Sequence, residues 1–225
     1  MKTEYINIHT HYKPKIEGEY VIRNAFHVLS ETQLASLCYR VSIGLHPWQL
    51  DQMDLNQLSA FLEQNAPNEN VVAIGETGFD KFAKTSTSEQ EAYFDTHYKY
   101  AKQFKKPLII HSVKRYQELI PYIKKNEVTF ILHGFTGSIE LMRSLSYPHC
   151  YFSFGKSLFT PQGMELFKEV PIDQLFLETD NHTHLHIADI YMKAAEIKSI
   201  HVNELQSQIS ENYKCIFPFD ALITY

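Results

Sequence analysis

The chain has 225 residues, of which 44% are hydrophobic and 21% are charged, so it can form a buried core and is not a mainly disordered protein. Its formal net charge of −5 argues against a protein that coats nucleic acid through clustered Lys and Arg side chains. Three cysteines without CxxC spacing argue against a disulfide framework and a thiolate zinc site, and favour a cytoplasmic location. The first residues lack the apolar run of a signal peptide, and no stretch reaches the length of a membrane-spanning helix, so we expect no membrane partner.

Eight short apolar runs have the composition of β-strands. They are rich in Ile, Val, Phe and Tyr and are bounded by turn residues. In chain order the predicted strands are Tyr5–Ile8, Tyr20–Phe26, Arg40–Leu45, Val71–Gly75, Leu108–His111, Thr129–His133, Tyr151–Phe154 and Gln174–Glu178.

Four amphipathic stripes predict helices that pack on a sheet. Their members are Leu55, Leu58, Phe61 and Leu62; Phe94, Tyr98, Ala101 and Phe104; Ile187, Ile190, Tyr191, Ala194 and Ile197; and Val202, Leu205 and Ile209. Ser88 and Glu91 have the spacing of a capping box before the second stripe. The basic pairs at 105–106 and 124–125 fall at predicted helix ends, where we expect them to be solvated.

The alternation of strands and helices predicts the α/β class, most simply a (β/α)8 TIM-type barrel formed by one domain over residues 1–225. Two strands and their connections must fit between Ile8 and Arg40. We therefore expect the first helix to be missing or vestigial, which makes the barrel trimmed or irregular in its N-terminal third.

Ligand-type side chains follow or end the predicted strands. The chain has twelve histidines, about twice the number expected from ordinary composition. The side chains at strand ends are His9, His11, His46, Glu76, His111, His133 and Asp180. The carboxyl ends of barrel strands form the rim where active sites lie, so packing alone does not explain this placement.

These residue types predict a metal site. His9 and His11 have i, i+2 spacing, which on a strand points both imidazoles to one face, although an isolated HxH is also typical of two surface histidines in a turn. The imidazoles of His9, His11, His111 and His133 and the carboxylates of Glu76 and Asp180 suit zinc, manganese or similar divalent ions. Six ligands exceed the need of one tetrahedral ion, so we expect two divalent ions that share a bridging carboxylate and activate a water molecule. A neighbouring carboxylate can take the proton of that water.

The pattern resembles the TatD-type metal-dependent deoxyribonucleases of the amidohydrolase superfamily. The matching segments are INIHTH at 6–11, GLHP at 44–47, AIGETGFD at 73–80, IIH at 109–111, HGFTGS at 133–138 and LETD at 177–180. They occur in the order of the family and span nearly the whole chain. The resemblance implies a TIM-barrel-like fold and a binuclear centre.

The resemblance also implies a role for each of these residues. His9, His11 and Asp180 would hold one metal, and His111 and His133 would hold the other. Glu76 would bridge the two ions, and Asp180 would also act as the general base. His46 corresponds to a histidine near the site that is usually not a ligand, and is assigned to substrate contact.

The chain departs from the family pattern both near the predicted metals and in the phosphate-binding set. Asn7 stands where the family usually has Asp, and Val113 where it has Arg. Lys114 and Arg115 are the next cations in the chain and are predicted to reach a phosphate. Asn181 replaces the usual proline after ETD.

Two further groups are open between a structural and a functional role. The aromatic residues Trp48, Phe79, Phe135 and Phe159 can line the mouth of the site and stack on a base, or close the top of the barrel. His182, His184 and His186 can overhang the site, but a polar loop is the preferred interpretation.

The sequence thus predicts a divalent-metal-dependent hydrolase with two zinc, manganese or magnesium ions. The expected activity is that of a TatD-like deoxyribonuclease that cleaves phosphodiester bonds in DNA ends or in a small phosphoester. A hydrolase of another ester, amide or lactone has the same metal chemistry and is the first alternative. A metal-binding protein without turnover is the alternative of a different class.

Overall fold

The computed structural model describes residues 5–25, 34 and 36–217. Within them, each of the eight predicted strands is present. The strands are β1 (Tyr5–Thr10), β2 (Glu19–Asn24), β3 (Arg40–Ile43), β4 (Val71–Asp80), β5 (Leu108–Val113), β6 (Phe130–Leu132), β7 (Cys150–Phe154) and β8 (Leu175–Leu177). β4 continues five residues beyond its predicted end, so Glu76 lies inside the strand and not at its carboxyl end as predicted.

Helices alternate with these strands. In the described part of the chain they are α1 (Leu55–Asn65), α2 (Thr87–Phe104), α3 (Ile120–Ile123), α4 (Ile139–Leu145), α5 (Pro161–Glu169), α6 (Ile187–Lys198) and α7 (Val202–Ile216). Short 3-10 helices occur at Pro47–Gln52, Tyr116–Leu119, Lys156–Phe159 and Ile172–Gln174. All four amphipathic stripes are helical. The connection between β1 and β2, residues 11–18, contains no helix, as predicted for the first connection.

The predicted capping box before α2 is wrong. Ser86 is the N-cap of α2, and its side chain accepts a hydrogen bond from the backbone N–H of Glu89. A capping box is present instead at α1, where Asp54 and Gln57 bond to each other's backbone.

The chain forms two compact units, residues 1–23 with 133–225 and residues 24–132. In the second unit, β3, β4, β5 and β6 are consecutive parallel neighbours. In the first unit, β1 pairs with β2 and β7 pairs with β8, again in parallel. The prediction of a single domain over residues 1–225 stays a prediction.

Each unit has an aromatic and aliphatic core. In residues 24–132, Phe79 of β4 and Tyr122 of α3 both pack on Phe94 of α2, with ring centroids 5.0 and 4.8 Å away. In the other unit, Phe135 packs on Phe152 of β7, with centroids 4.9 Å apart. Helices thus cover the parallel strands through the apolar faces predicted from the sequence.

One prediction falls outside the described residues, namely the end of the second strand at Phe26. Among the helices that the structure describes, none has both the length and the apolarity needed to cross a bilayer.

Candidate metal centre

Two imidazoles and a carboxylate meet at the ends of β1 and β8. Nε2 of His9 and Nε2 of His11 lie 3.5 and 3.4 Å from Oδ1 of Asp180, and the three ligand atoms form one candidate metal-binding group. His9 is fully buried, whereas the Asp180 side chain is 28% exposed. The structure therefore brings together the three residues predicted to hold the first ion.

Backbone hydrogen bonds fix the register of this group. The N–H of Asp180 donates to the carbonyl of His9 at 3.0 Å, and the N–H of His11 donates to the carbonyl of Asp180 at 3.2 Å. Asp180 adopts a left-handed conformation with φ of 48°, which Asp tolerates better than most residues. This ladder sets the two histidines on one face of β1 opposite the carboxylate.

Asn7 ties the same strand ends together. Its amide N–H group donates to Glu19 Oε1 and to Thr179 Oγ1, both at 2.8 Å, and its carbonyl accepts from the N–H of Thr179 at 3.0 Å. Thr179 Oγ1 in turn donates to Thr10 Oγ1 at 3.0 Å. A neutral amide suits this position because it can donate to Glu19, which a carboxylate could not do.

His133 and Glu178 complete what we call the Asp180 cluster, defined as His9, His11, His133, Glu178 and Asp180. The His133 ring lies 4.3 Å from that of His9, and its Nδ1 lies 3.4 Å from Glu178 Oε1. Oε2 of Glu178 is buried and accepts no hydrogen bond from any described residue. Glu178 approaches closely because residue 155 is glycine: a Cβ there would lie 2.7 Å from its carbonyl oxygen.

A cavity of about 310 Å³ opens beside this cluster. Glu178, Thr179 and Asp180 form one wall. The remaining lining residues are mostly small or polar: Gly134, Thr136, Gly155, Lys156, Ser157, Thr160 and His182. A cavity with carboxylate, hydroxyl and lysine side chains on its wall can admit a water molecule and an anionic substrate.

A second cluster lies in residues 24–132. Glu76 Oε1 lies 3.1 Å from His111 Nδ1 and 3.4 Å from His46 Nε2, and these three residues form another candidate metal-binding group. Asp80 Oδ2 lies 2.8 Å from the other ring nitrogen of His111, and Asn24 donates to Glu76 Oε2 at 2.9 Å. We call these five residues the Glu76 cluster.

The backbone of β4 aims the side chain of Glu76. The β4–β5 register shifts between Ile74 and Thr77, which is the irregularity that turns a strand residue away from its regular direction. Gly78 pairs with His111 and has φ of 144°, and a Cβ there would collide with the carbonyl oxygen of His111. Gly78, the second glycine of the GETGFD segment, is thus needed for the close approach of β4 to β5.

His97 supports His46 from the core. Its Nε2 accepts a hydrogen bond from the N–H of Leu45 at 2.9 Å, and its Nδ1–H donates to the carbonyl of Tyr93 at 2.7 Å. Burial lowers the pKa of His97 to about 4, so the ring is neutral at pH 7. His97 is therefore a structural histidine that fixes the residue before His46.

Both clusters fit a divalent cation. Two ligands bound at about 2.1 Å to a tetrahedral ion are about 3.4 Å apart, which matches the distances from His9 and His11 to Asp180. Those distances exceed the usual length of an N–H···O hydrogen bond. With Nε2–H of His111 donating to Asp80, the neutral ring directs the lone pair of Nδ1 at Glu76, and a cation between the two acceptors would stabilise that contact.

The charge of Asp180 also suits a ligand. Burial by itself would raise the pKa of this carboxyl, but the nearby imidazoles of His11 and His9 outweigh burial and hold its pKa well below its usual range. Asp180 is therefore ionised at neutral pH, so protons do not compete with a cation for its carboxylate oxygens.

The residues predicted to bind substrate have different surroundings. His46 contacts Glu76 directly, which makes it a candidate ligand in addition to its predicted role. Arg115 forms an ion pair with Glu118 at 3.0 Å, whereas the ammonium of Lys114 lies 5.7 Å from the ring centroid of Phe82. Of the four aromatic candidates, Phe79 and Phe135 are buried core residues, and Trp48 and Phe159 are 63% and 47% exposed.

Two carboxylates of the site were not assigned from the sequence. Asp80 and Glu178 both lie within the quoted motifs, AIGETGFD and LETD, but their roles depend on the histidine that each contacts in the fold. His182 lines the cavity, which matches the alternative interpretation, while His184 and His186 are exposed, which matches the preferred interpretation of a polar loop.

Comparison with known proteins identifies the same family as the sequence motifs do. A family model described as TatD related DNase matches residues 22–218. The metal-dependent hydrolase YabD of Bacillus subtilis is 30% identical over 198 residues, which cover 78% of this chain and 76% of YabD. The deoxyribonuclease Tat-D of Schizosaccharomyces pombe is 28% identical over 159 residues, 64% of this chain and 51% of that protein.

A solved structure shows the same fold. The crystal structure of YjjV, a TatD homologue from Escherichia coli, aligns with a TM-score of 0.82 and 22% identity over 98% of this chain and all of its own. This likeness confirms the predicted (β/α)8 TIM-type fold. The family match confirms the prediction of a TatD-type metal-dependent hydrolase. The chain belongs to the TatD-related DNase family.

Proposed function

We propose that this chain hydrolyses phosphodiester bonds in DNA with the help of two divalent cations. The observation that carries the proposal is the Asp180 cluster, where imidazole and carboxylate atoms have the spacing of metal ligands beside a cavity. The name of the S. pombe relative, a deoxyribonuclease, supports DNA as the substrate.

His9, His11 and Asp180 would hold one cation in this proposal. The resemblance implies that His111 and His133 would hold the other and that Glu76 would be a ligand of both. The donor set of nitrogen and carboxylate oxygen suits zinc, manganese or magnesium. Bound divalent cations lower the pKa of a water molecule and stabilise the charge that develops on phosphoryl oxygens.

Side chains of the protein supply the proton acceptor, orient the histidine rings and bind the phosphates. Asp180 is ionised and forms part of the cavity wall, where it orients a water molecule and accepts its proton. Asp80 holds the ring of His111 through Nε2, and Glu178 holds the ring of His133 through Nδ1. Lys156 on the cavity wall and Lys114 beside Phe82 supply positive charge for the phosphates.

The test is an activity assay on metal-loaded protein. End-labelled single-stranded DNA is compared with a panel of phosphomonoesters, carboxylic esters, lactones and amides. We expect cleavage of the DNA and little turnover of the amides. Efficient turnover of another class without DNA cleavage would overturn the proposed substrate. A metal-binding role without turnover is not favoured, because both clusters retain a complete donor set.

A further inference from the structure

Two exposed aromatic residues in the unit 24–132 donate hydrogen bonds to one buried carboxylate. Trp48 and Phe82 are each 63% exposed, the highest exposure of any large hydrophobic side chain in the described residues. Nε1 of Trp48 donates to Asp80 Oδ2 at 2.9 Å, and the backbone N–H of Phe82 donates to Asp80 Oδ1 at 2.7 Å. Asp80 itself is buried, and Gln90 Oε1 accepts a hydrogen bond from its backbone N–H at 2.8 Å.

This anchoring fixes the orientation of the indole. The N–H edge of Trp48 faces inward to Asp80, so the exposed part of the side chain is the apolar remainder of the ring. The backbone N–H of Trp48 donates to Nδ1 of His46 at 3.1 Å, and the two rings meet edge to face at 5.8 Å. Trp48 is therefore bonded directly to two members of the Glu76 cluster.

The surroundings of Phe82 are cationic. The Lys114 ammonium lies 5.7 Å from the centroid of the Phe82 ring, and the exposed Lys81 and Lys84 flank Phe82 in the chain. Aromatic faces with adjacent cations are the combination that binds single-stranded nucleic acid, because the rings stack on bases while the cations meet the phosphates. The whole chain is acidic, with a net charge of −5, so this local positive charge is not a general property of its surface.

We infer that Trp48 and Phe82 form a stacking surface for the unpaired bases at a DNA end, and that Asp80 positions this surface relative to His111. The inference rests on the proposed function and specifies its substrate. A base inside a duplex already stacks on both faces, so the surface selects single-stranded or frayed ends. The exposed faces hold bases, and the reacting phosphate lies toward the imidazoles of the Glu76 cluster.

The experiment uses the fluorescence of Trp48, which is the single tryptophan of the chain. Metal-loaded protein is titrated with a phosphorothioate-linked thymidine hexamer, which resists cleavage, and with an abasic hexamer of the same linkage. We expect the thymidine hexamer to quench Trp48 emission and to bind at least about tenfold more tightly than the abasic hexamer, as stacking of one or two bases predicts.

Phe82→Ala tests the second ring and leaves Trp48 in place as the reporter. It should weaken binding of the thymidine hexamer about tenfold and leave the abasic hexamer unaffected. Leu55→Ala is the control, since Leu55 is also an exposed large apolar residue of the same unit but lies at the start of α1. It should change neither affinity.

Equal affinities for the two hexamers, saturating binding without a change in Trp48 emission, or no binding of the thymidine hexamer would overturn the stacking surface. DNA cleavage is measured separately on an ordinary oligonucleotide. Quenching without cleavage would overturn the proposed function and keep the stacking surface. Cleavage with a KM that Phe82→Ala leaves unchanged would keep the function and overturn the stacking surface.

Discussion

The Asp180 cluster and the Glu76 cluster contain the same residue types but differ in how their carboxylates are held. In the first, the contacts of His9, His11 and His133 to carboxylate oxygens span 3.4 to 3.5 Å. In the second, Asn24, Trp48 and Nε2 of His111 contact carboxylates at 2.8 to 2.9 Å, while Glu76 Oε1 lies 3.1 Å from His111 Nδ1 and 3.4 Å from His46 Nε2. The contacts at 2.8 to 2.9 Å are protein hydrogen bonds, which the second cluster has in addition to imidazole–carboxylate pairs that can share an ion.

This difference suggests two tasks for the two candidate metal-binding groups. The Asp180 cluster borders the cavity, and Oε2 of its Glu178 accepts no hydrogen bond from a described residue, so a cation would complete its interactions. The Glu76 cluster has more hydrogen bonds of its own, which would fix the orientation of its candidate ligands before an ion binds. We therefore expect substitutions in the first cluster to affect chemistry most, and substitutions in the second to affect metal affinity and rigidity.

The largest expected effect is on turnover. Asp180→Asn removes the ionised group at the cavity wall and should lower kcat for DNA cleavage about 10²- to 10⁴-fold, while His9 and His11 keep part of the metal affinity. Steady-state kinetics on end-labelled DNA measure the change. Asp173→Asn, at an exposed position, is the control. Full activity of Asp180→Asn would remove its assignment as the base.

The rigidity of the Glu76 cluster should depend on pH through His97. Its pKa is about 4 in the folded chain and about 6.5 when unfolded, so between these values only the unfolded state takes up the proton. The stability that depends on the neutral His97 ring is complete above pH 6.5 and is lost as pH falls from 6.5 through 4. The free energy of unfolding falls by about 3 kcal/mol over this range.

Urea unfolding at several pH values measures this effect as a difference between variants. His97→Gln should unfold with a smaller loss of stability between pH 6.5 and pH 4 than the unsubstituted chain. His201→Gln, at an exposed position before α7, should behave like the unsubstituted chain. Identical pH dependence of all three proteins would show that His97 is not buried in its neutral form.

A smaller effect is expected on metal affinity. Asp80→Asn removes the carboxylate that orients His111 and should weaken one of two metal equivalents about 10- to 100-fold. The other equivalent should keep its affinity, which a competitive titration with a chelating dye resolves. Asp51→Asn, an exposed aspartate of the same unit, serves as the reference. Equal weakening of both equivalents would remove the distinction between the clusters.

The smallest effect concerns the cations beside each cluster. Lys156→Ala and Lys114→Ala should each reduce the slope of log affinity for single-stranded DNA against log salt by about 0.7, the amount for one phosphate contact. Arg115→Ala should change the slope less, because Arg115 is paired with Glu118. A change confined to one lysine would place the DNA backbone beside that cluster alone.

Much of this site follows from local sequence patterns. The spacing of His9 and His11 specifies a common face of β1, and the apolar runs before His111 and His133 specify strands that end near them. The family motifs add the assignments of Glu76 and Asp180. These features depend on neighbours in the sequence, which is why they could be predicted.

The missed features depend on contacts between distant segments. The end of β4 was predicted at Gly75 because the polar residues after it resemble a turn, but pairing with β5 continues the strand to Asp80. Lys106 was expected to be solvated, yet its ammonium binds the carbonyls of Ala66, Asn68 and Val71, and burial lowers its pKa to about 8. Neither outcome has a signal in the residues immediately around it.

The most direct test of the two-cluster account is the metal content of the chain after removal of metal and reloading with zinc or manganese. Elemental analysis should find close to two equivalents in the unsubstituted protein and close to one when His9 and His11 are both replaced by Ala. Absence of bound metal in the unsubstituted protein, or two equivalents in the double variant, would contradict the account.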